Sequence, residues 1–346
     1  MATEVISIID PDAGSGYDYD SLYDWEAGEQ GDLTGARDEI AVATCRCTGG
    51  TADTTIFTIA GWTTSATQYI KIWTDPAESY GPVDGKWTTG NHYRLEATGG
   101  NVIDTDSSGV VRIDILNLQV ECNRRTYSER YALKLNGLNS THYISGCVIK
   151  ATYTGAGSAS GITLVGTGET FKIKNTVIYA SSGTGSGRGI YNEGSGSEAY
   201  IYNCTIYGFS AGIVANTTYY VKNSAIFGNA DDFNGLTSGN IDNCASDDGD
   251  GDSPVDISPG ATEADDWAAC FTDYANGDFS LKPASVCIGA ALNLYNDASY
   301  PFQDDIIGTD RGGSGASWDI GAFEYVAAGG ASAVPVIMRS YRARRN

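Results

Sequence analysis

The residues best placed for chemistry are three aspartates in one acidic run. Asp248, Asp250 and Asp252 stand at alternate positions, a D-x-D-x-D spacing that can present three carboxylates to Ca²⁺ from a single loop. An EF-hand loop has glycine at its sixth position, where this run has Ser253, and glutamate at its twelfth, which this run lacks. The run therefore predicts either a structural calcium site or a solvated acidic loop, and no other cofactor is expected.

Acid–base catalysis has few candidate residues in this chain. Its 2 histidines, His92 and His142, are expected to be solvated or hydrogen-bonded residues at strand ends. Asp231 and Asp232 are adjacent, so strand alternation would direct their side chains to opposite faces. No catalytic residue is therefore assigned, and catalysis is left without support from the sequence.

The composition restricts the class of protein. The 346 residues include 43 acidic and 21 basic ones, which gives a net charge of −22. Nucleic-acid binding depends mainly on Lys and Arg that neutralise phosphates, so a nucleic-acid partner is not expected. Gly and Tyr are abundant, with 44 and 22 residues, and no apolar run approaches the ~18 residues of a membrane span. The first residues, MATEVISIIDPDAG, lack the basic segment of a signal peptide, so the protein is expected either to stay in the cytoplasm where it is made or to be released by lysis.

A repeat in the middle of the chain supplies the elements that position these residues. The pattern Ile/Val-x-Asn/Gly-x-x-Ile/Val recurs, and its Asn or Gly positions lie 29, 29, 28, 20 and 20 residues apart. A second marker recurs at nearly the same spacing. It is a small residue or Asp followed by a large apolar residue. β-Branched strands with period-2 alternation predict one coil of a β-solenoid per repeat, rather than a helical repeat. The copies, the last of them degraded, are Ile115–Val120, Ile144–Ile149, Ile173–Ile178, Ile201–Ile206, Val221–Ile226 and Ile241–Ser246.

The repeat predicts structural roles for its asparagines and cysteines. Asn at the third position can turn the chain, because asparagine tolerates the left-handed backbone conformation. Cys147, Cys204 and Cys244 share one repeat position two coils apart, and a separation of ~9–10 Å is too long for a disulfide. They are expected to form an interior stack of small residues. Cys270 and Cys287 could pair near the end of the chain, and the sequence leaves this pairing open.

The stack of coils needs a cap at its first end. The segment Asp20–Trp25 predicts a short helix with a capping box. With Leu22 and Trp25 facing inward, this helix would close the end of the stack, which would otherwise be an exposed sheet edge.

Several of these stretches resemble the right-handed parallel β-helix, or pectin-lyase-like, superfamily, in its phage and environmental form. Ile201–Ile206 is similar to the coils of that superfamily, and Asp278–Gly289 looks like the last coil of many members. Asp319–Tyr325 is similar to the DIGAxE ending common among them. The resemblance implies an all-β, right-handed parallel β-helix with a short N-terminal capping helix. Its expected parts are residues 1–35, an N-terminal strand and capping helix; 36–256, the coils; 257–325, C-terminal coils and a cap; and 326–346, a linker and basic docking tail.

The resemblance also implies an enzymatic alternative. Enzymes on this fold are polysaccharide lyases and hydrolases. The lyases usually hold calcium on clustered carboxylates and use an Arg or Lys base, whereas the hydrolases need two carboxylates across a cleft. The outward positions of the aligned coils carry Tyr, Lys, Ser and Asp singly, without a repeated Asp ladder. An enzyme is therefore the alternative rather than the leading interpretation.

Aromatic residues recur at outward positions of successive coils. Such rows suit stacking against sugars or contact between subunits, where tyrosine is enriched, and they also fit the ordinary preference of tyrosine for strands. The sequence leaves these readings open. The residues concerned are Tyr143, Tyr179, Tyr200, Tyr207, Tyr220 and Phe227.

The last residues break the pattern of the coils. A small-residue linker is followed by a short apolar and strongly basic peptide, which suggests an arm that docks on an acidic or grooved partner, with simple disorder as the alternative. Its apolar part is too short for a membrane anchor. The residues expected to dock are Val336, Ile337, Met338, Arg339, Tyr341, Arg342, Arg344 and Arg345.

The leading interpretation is a non-catalytic structural protein of a phage virion surface, made in the host cytoplasm. A homotrimeric capsid-decoration protein is preferred to a short tail spike or fibre, because a spike would normally add a separate particle-binding domain. Its partners would be capsid or tail proteins, bound through the basic tail, and a host-surface glycan. The alternatives are a polysaccharide lyase or glycoside hydrolase, and a glycan-binding adhesin of a bacterium.

Overall fold

Three long parallel sheets make up most of the molecule. The structure is a computed structural model that describes residues 2–105, 109–124, 129–153, 158–182, 187–257 and 263–327. Each of the six passes from Ile70 to Asn234 contributes one strand to each sheet, and successive passes stack in parallel register, so the fold is a right-handed parallel β-helix, as predicted. None of the helices in these ranges is long and apolar enough to cross a bilayer.

The sheets are numbered here by the order of their strands within one coil. Sheet 1 contains Thr3–Ile9, Glu39–Cys45, Ile70–Trp73, Arg112–Leu116, Thr141–Ser145, Thr170–Lys174, Glu198–Tyr202, Thr218–Lys222 and Ile241–Asp242. Sheet 2 contains Leu95–Thr98, Gln119–Arg124, Val148–Tyr153, Val177–Ser182, Thr205–Tyr207, Ala225–Phe227, Ala245–Ser246 and Val255–Asp256. Sheet 3 contains Phe57–Ile59, Ile103–Thr105, Arg130–Leu138, Ala159–Thr167, Arg188–Asn192, Ala211–Ala215 and Phe233–Asn234.

A two-residue corner joins each strand of sheet 1, from Arg112–Leu116 onward, to the next strand of sheet 2. Its first residue has a positive φ, which asparagine and glycine adopt at little cost. The five asparagines have φ between 47° and 57°, and Gly146 has 69°. This confirms the prediction that the repeat asparagines turn the chain. They are Asn117, Asn175, Asn203, Asn223 and Asn243.

The second corner residue points into the lumen and forms the predicted stack of small side chains. Cys147, Cys204 and Cys244 are buried there with free thiols, and Thr176 and Ser224 lie on the coils between them. Burial raises the pKa of each of the three thiols to about 12, so they stay protonated at neutral pH. Cys270 and Cys287 are also free in this structure.

The second sequence marker lies on sheet 3, where close packing between coils explains its small residues. The marker's large apolar residues stack in register and are buried: Leu133, Ile162, Ile190, Ile213 and Phe233. A Cβ on Gly189 would lie 2.5 Å from the Gly212 carbonyl oxygen of the next coil, so this position accepts only glycine without a shift of the backbone.

The helix α1 (Leu22–Glu29) packs at the first end of the coils, as predicted. The Ser21 hydroxyl caps it by accepting a hydrogen bond from the Asp24 amide, and Leu22 and Trp25 are fully buried. Trp25 packs against Trp62, with ring centroids 5.5 Å apart. The strand β1 (Thr3–Ile9) pairs in register with Glu39–Cys45, so the predicted N-terminal part is continuous with the coils.

The prediction of further coils in residues 257–325 was wrong. Val255–Asp256 is the last strand of the stack, and the chain then leaves the helix axis. Helix α2 (Glu263–Cys270) and the antiparallel pair Phe271–Asp273 and Asp278–Leu281 pack against the outer face of sheet 2. Residues 282–327, the return segment, then run back along the corner between sheets 1 and 2.

Four of the five corner asparagines bind the return segment through their side chains. Asn243 donates to the Ala290 carbonyl at 3.0 Å, and Asn175 donates to the Asp304 carbonyl at 2.8 Å. Asn223 makes a two-point contact, in which its amide donates to the Leu292 carbonyl and its oxygen accepts from the Leu292 amide, both at 2.8 Å. The same residue type therefore turns each coil and attaches the segment that crosses the coils.

Substitution of Asn223 is expected to separate these two roles. Asn223→Gly keeps the backbone conformation and loses the contact with Leu292, so we expect a cost of about 1–3 kcal/mol from unpaired polar groups. Asn223→Ala adds about 1–2 kcal/mol because alanine disfavours positive φ. Denaturant unfolding monitored by circular dichroism measures both costs.

Asn139 is the matched control, because it has a φ of 55° and an exposed side chain. There Asn139→Gly should change the free energy of unfolding by a few tenths of a kcal/mol, and Asn139→Ala by about 1–2 kcal/mol. Equal effects of glycine at the two positions would show that the Leu292 contact contributes nothing.

Candidate functional site

A groove between the outer face of sheet 1 and the return segment is the best candidate for a binding site. Its volume is about 350 Å³, and it combines aromatic rings with charged groups. One wall is formed by residues of four successive coils, and the other by Tyr300 and residues 304–306 of the return segment. The charged and aromatic side chains on the coil wall are Lys71, Trp73, Arg112, Asp114, Tyr143 and Lys174.

The strand register explains why these residues meet. Lys71 pairs with Asp114 and Asp114 with Tyr143, which makes one outward row across three coils. A parallel row two residues along contains Trp73 and, three coils later, Lys174. Since side chains at i and i+2 share a face of a strand, each coil offers two groups to the groove.

Arg112 is the central charged group of the groove. Its Nε and one terminal nitrogen donate to the two Asp114 oxygens at 2.8 and 2.7 Å. Its guanidinium lies 3.7 Å from the ring centroid of Tyr69 and 4.8 Å from that of Tyr143. Burial raises the pKa of Asp114, and the charge of Arg112 opposes that shift. The arginine therefore lies against two aromatic rings, and its other terminal nitrogen donates to the Ala66 carbonyl at 3.0 Å.

The remaining charged groups are paired as well. Lys71 Nζ lies 3.7 Å above the Trp73 ring and 3.4 Å from a Glu4 carboxylate oxygen. Lys174 Nζ lies 3.0 Å from the Asp304 carboxylate, which links sheet 1 to the return segment. The groove thus presents fixed cations and ring faces, an arrangement suited to binding a polar ligand with apolar faces.

The predicted aromatic row on sheet 1 faces outward, and the return segment partly covers it. Tyr200 and Tyr220 stack with centroids 5.0 Å apart, and Tyr143 lies 6.2 Å from Tyr300. Lys172 occupies the gap in the row, between the rings of Tyr143 and Tyr200 at 5.9 Å from each. Of this row, Tyr143 is the residue that lines the groove.

The aromatic row on sheet 2 is covered by the chain itself, so the expectation of an open surface there was wrong. Tyr179 and Phe227 are only 4% and 0% exposed, and Tyr207 is half-buried. Phe227 stacks on Phe271 with centroids 4.6 Å apart, and Tyr179 packs edge-on against Phe279. The row faces away from the lumen as the register predicts, but it anchors α2 and the strands that follow it.

The acidic run forms a carboxylate cluster whose membership differs from the prediction. Asp248 and Asp250 lie together with Asp231, with one oxygen of each within 4.8 Å of the others. Asp252 is not part of this cluster, because its backbone extends the ladder of sheet 1 through hydrogen bonds to Ile241 and Asn243. The three clustered carboxylates are the residues that could hold a cation here.

Asp232 lies beneath this cluster and is fully buried. Its carboxyl accepts hydrogen bonds from Asn229, from the Ser246 hydroxyl and from the Asp247 amide. Burial, followed by the negative charges of Asp247 and Asp248, raises its pKa far above the usual range of an aspartate. Burial and the neighbouring charges therefore favour the neutral form of the Asp232 carboxyl.

The two histidines are hydrogen-bonded, and one of them is not solvated. His92 Nδ1 lies 3.1 Å from the Gly81 carbonyl oxygen. His142 is 1% exposed in the lumen, with Nε2 3.3 Å from Glu169, and the Ser140 hydroxyl donates to the same carboxylate. These residue types could form a nucleophilic triad, but here the serine donates to the carboxylate and all three are buried.

The predicted docking residues of the tail lie outside the described residues. Sequence reasoning also missed most of the groove. Its available signal was the i, i+2 pairing of charged or aromatic residues in Tyr69–Trp73 and in Arg112–Asp114, which places both members on one face. The wall formed by the return segment had no such signal, because its position depends on long-range contacts.

Comparison with known proteins identifies a distant structural likeness and no family. No family model matches the chain, and no curated protein matches it. Among solved structures it is similar to the crystal structure of pectate lyase Pel9A, at 13% sequence identity, with 94% of this chain and 97% of that chain covered and a TM-score of 0.28. A likeness at this level carries no argument about activity, and the assignment of the fold rests on the sheet register.

The raised pKa of Asp232 predicts a pH-dependent difference in stability between wild type and Asp232→Asn. Because the folded pKa is raised, the stability contributed by the bound proton is complete below the usual aspartate pKa of about 4 and is lost as the pH rises. Asparagine does not titrate, so the variant should gain stability relative to wild type between pH 4 and pH 9. Urea unfolding at several pH values measures this difference.

Asp273→Asn is the control, because the Asp273 carboxylate is exposed. Its difference from wild type at each pH is the baseline for removing an exposed carboxylate. A difference for Asp232→Asn that does not grow beyond this baseline as the pH rises would mean that Asp232 is ionised in the folded protein.

Proposed function

We propose that the protein is a non-catalytic β-helix rod that binds a glycan in the groove between sheet 1 and the return segment. The observation that carries this proposal is the pairing of cations with aromatic faces in that groove, at Arg112 with Tyr69 and Tyr143 and at Lys71 with Trp73. Sugar rings have apolar faces that pack on aromatic rings and hydroxyls or carboxylates that accept hydrogen bonds. Arg112 and Lys71 favour an acidic glycan.

The ion pairing of Asp114 and Asp304 in the groove favours glycan binding over glycan cleavage. A hydrolase needs one carboxyl as acid and another as base or nucleophile. In this groove Asp114 is held by two nitrogens of Arg112, and Asp304 is held by Lys174. Each of these two carboxylates is engaged by a cation that would have to be displaced before proton transfer. The third carboxyl of the groove, Asp305, is buried and accepts hydrogen bonds from three backbone amides.

Binding should depend on the aromatic residues of the groove. We expect Trp73→Leu and Tyr143→Leu each to weaken binding of an acidic polysaccharide about tenfold, or about 1.4 kcal/mol. Isothermal titration calorimetry against a panel of acidic and neutral polysaccharides measures the affinities. Circular dichroism and unfolding midpoints show whether each variant keeps its fold, since Trp73 also donates to the Thr44 hydroxyl.

Tyr23→Leu is the matched control, because Tyr23 is 53% exposed on α1 and does not line the groove. It should bind like wild type. Equal affinities for all three variants would refute the groove as the site. New reducing ends or unsaturated products in the same mixtures would show a lyase or hydrolase instead of a binding protein.

We also propose that this rod is a component of a phage virion surface, on the basis of sequence features. Its support is the resemblance of residues 319–325 to endings of phage β-helices. We expect mass spectrometry of purified particles to detect the chain. Hundreds of copies per particle would indicate decoration of the head, a few copies would indicate a spike or fibre, and absence from particles would refute the virion proposal.

A further inference from the structure

The strand β1 leaves part of its edge unpaired among the described residues. The Thr3 amide donates to the Asp38 carbonyl at 3.2 Å, so Thr3, Val5 and Ser7 face the neighbouring strand of sheet 1. By alternation, the backbone groups of Glu4, Ile6 and Ile8 face the opposite edge. Among the described residues, nothing pairs with that edge along Glu4–Ile6.

The second half of the same edge shows that it accepts an added strand. The Ile8 amide donates to the Asp18 carboxylate at 2.7 Å, and the amides of Asp18 and Tyr19 donate to the Ile8 carbonyl. Ile9 and Tyr19 form a parallel bridge. The first half has the same geometry and no such cover in the described part of the chain.

The side chains of the open half are apolar where a surface strand is usually polar. Val5 is 41% exposed and Ile6 is 54% exposed. An exposed edge strand with apolar side chains is a template for pairing with another strand, and proteins normally protect such edges.

The charges around this edge select the chemistry of its partner. Glu4, Asp18 and Asp38 are exposed beside it. The nearby cations already have partners. Lys71 lies over the Trp73 ring and forms an ion pair with Glu4. Arg37 forms ion pairs with Glu29 and Glu39. A second copy of β1 would bring like charges together, whereas an extended segment with apolar and basic residues would complement the edge.

This chain contains one segment of that composition, the tail Val334–Arg339 followed by Arg342, Arg344 and Arg345. We propose that Val334–Arg339 adds as a strand to the open edge of β1 at Thr3–Ile6. Val336, Ile337 and Met338 would cover Val5 and Ile6, and the arginines would lie beside the acidic groups. Pro335 fits this assignment, because an edge strand tolerates a missing amide.

Cysteine cross-linking of the full chain tests this contact. All eight native cysteines are buried, so a disulfide that forms under mild oxidation can be assigned to the two introduced cysteines. Under mild oxidation we expect Ile6→Cys with Ile337→Cys to form a disulfide at least tenfold faster than Tyr23→Cys with Ile337→Cys. Tyr23 is the control, because it is equally exposed near the same end of the coils.

Non-reducing electrophoresis and mass spectrometry locate the bond. A bond within one chain means that the tail covers its own edge, and a bond between chains means that it covers the edge of a neighbour; both outcomes support the proposal. Equal rates for the two pairs, or no bond at position 6, would overturn it.

The charge argument has its own test, which is independent of glycan binding. Replacing Arg339, Arg342, Arg344 and Arg345 with glutamine in the Ile6→Cys, Ile337→Cys chain should slow disulfide formation several-fold, and 1 M NaCl should slow it in the parent pair. An unchanged rate in both experiments would refute the electrostatic selection of the tail.

Discussion

The left-handed asparagine at the corner between sheets 1 and 2 is the constraint on which the rest of the molecule depends. It turns the chain within two residues, so that the following small residue faces the lumen and the next strand begins in register. Because the side chain of asparagine remains outside the coil, its amide is free to make a contact elsewhere. At Asn175, Asn203, Asn223 and Asn243 that contact is with the backbone of the return segment.

The return segment changes what the surface of the rod can do. Together with α2 it covers most of the outward aromatic residues, including Tyr179 and Phe227, which would otherwise form large apolar patches. What it leaves open is the groove beside Arg112 and Tyr143. The binding site is therefore the gap between a regular coil surface and an irregular segment laid across it, which provides both rigidity and a shaped wall.

The coils could be predicted from the sequence, whereas the position of the return segment and of α2 on the coils could not. The Asn and Cys positions repeat, so the corner, the lumen stack and the outward rows could be read from periodicity. The burial of Tyr179 could not, because it depends on Phe279, a hundred residues away and without any repeat that relates the two. For the same reason Asp231 was not grouped with Asp248: separate coils bring them together, whereas the alternation of Asp248, Asp250 and Asp252 suggested one loop.

Attachment of one segment to several coils also limits how this rod can evolve. A solenoid bound only by neighbour contacts can gain or lose a repeat, because each unit contacts only the units beside it. Here Leu292, Asp304 and Asp319 must each meet an asparagine on a particular coil. Deleting or duplicating one coil would displace every contact beyond it by one strand spacing, about 4.8 Å, which is farther than a hydrogen bond can stretch. The number of coils is therefore constrained by these contacts, and insertions should be better tolerated in the loops between strands than as whole coils.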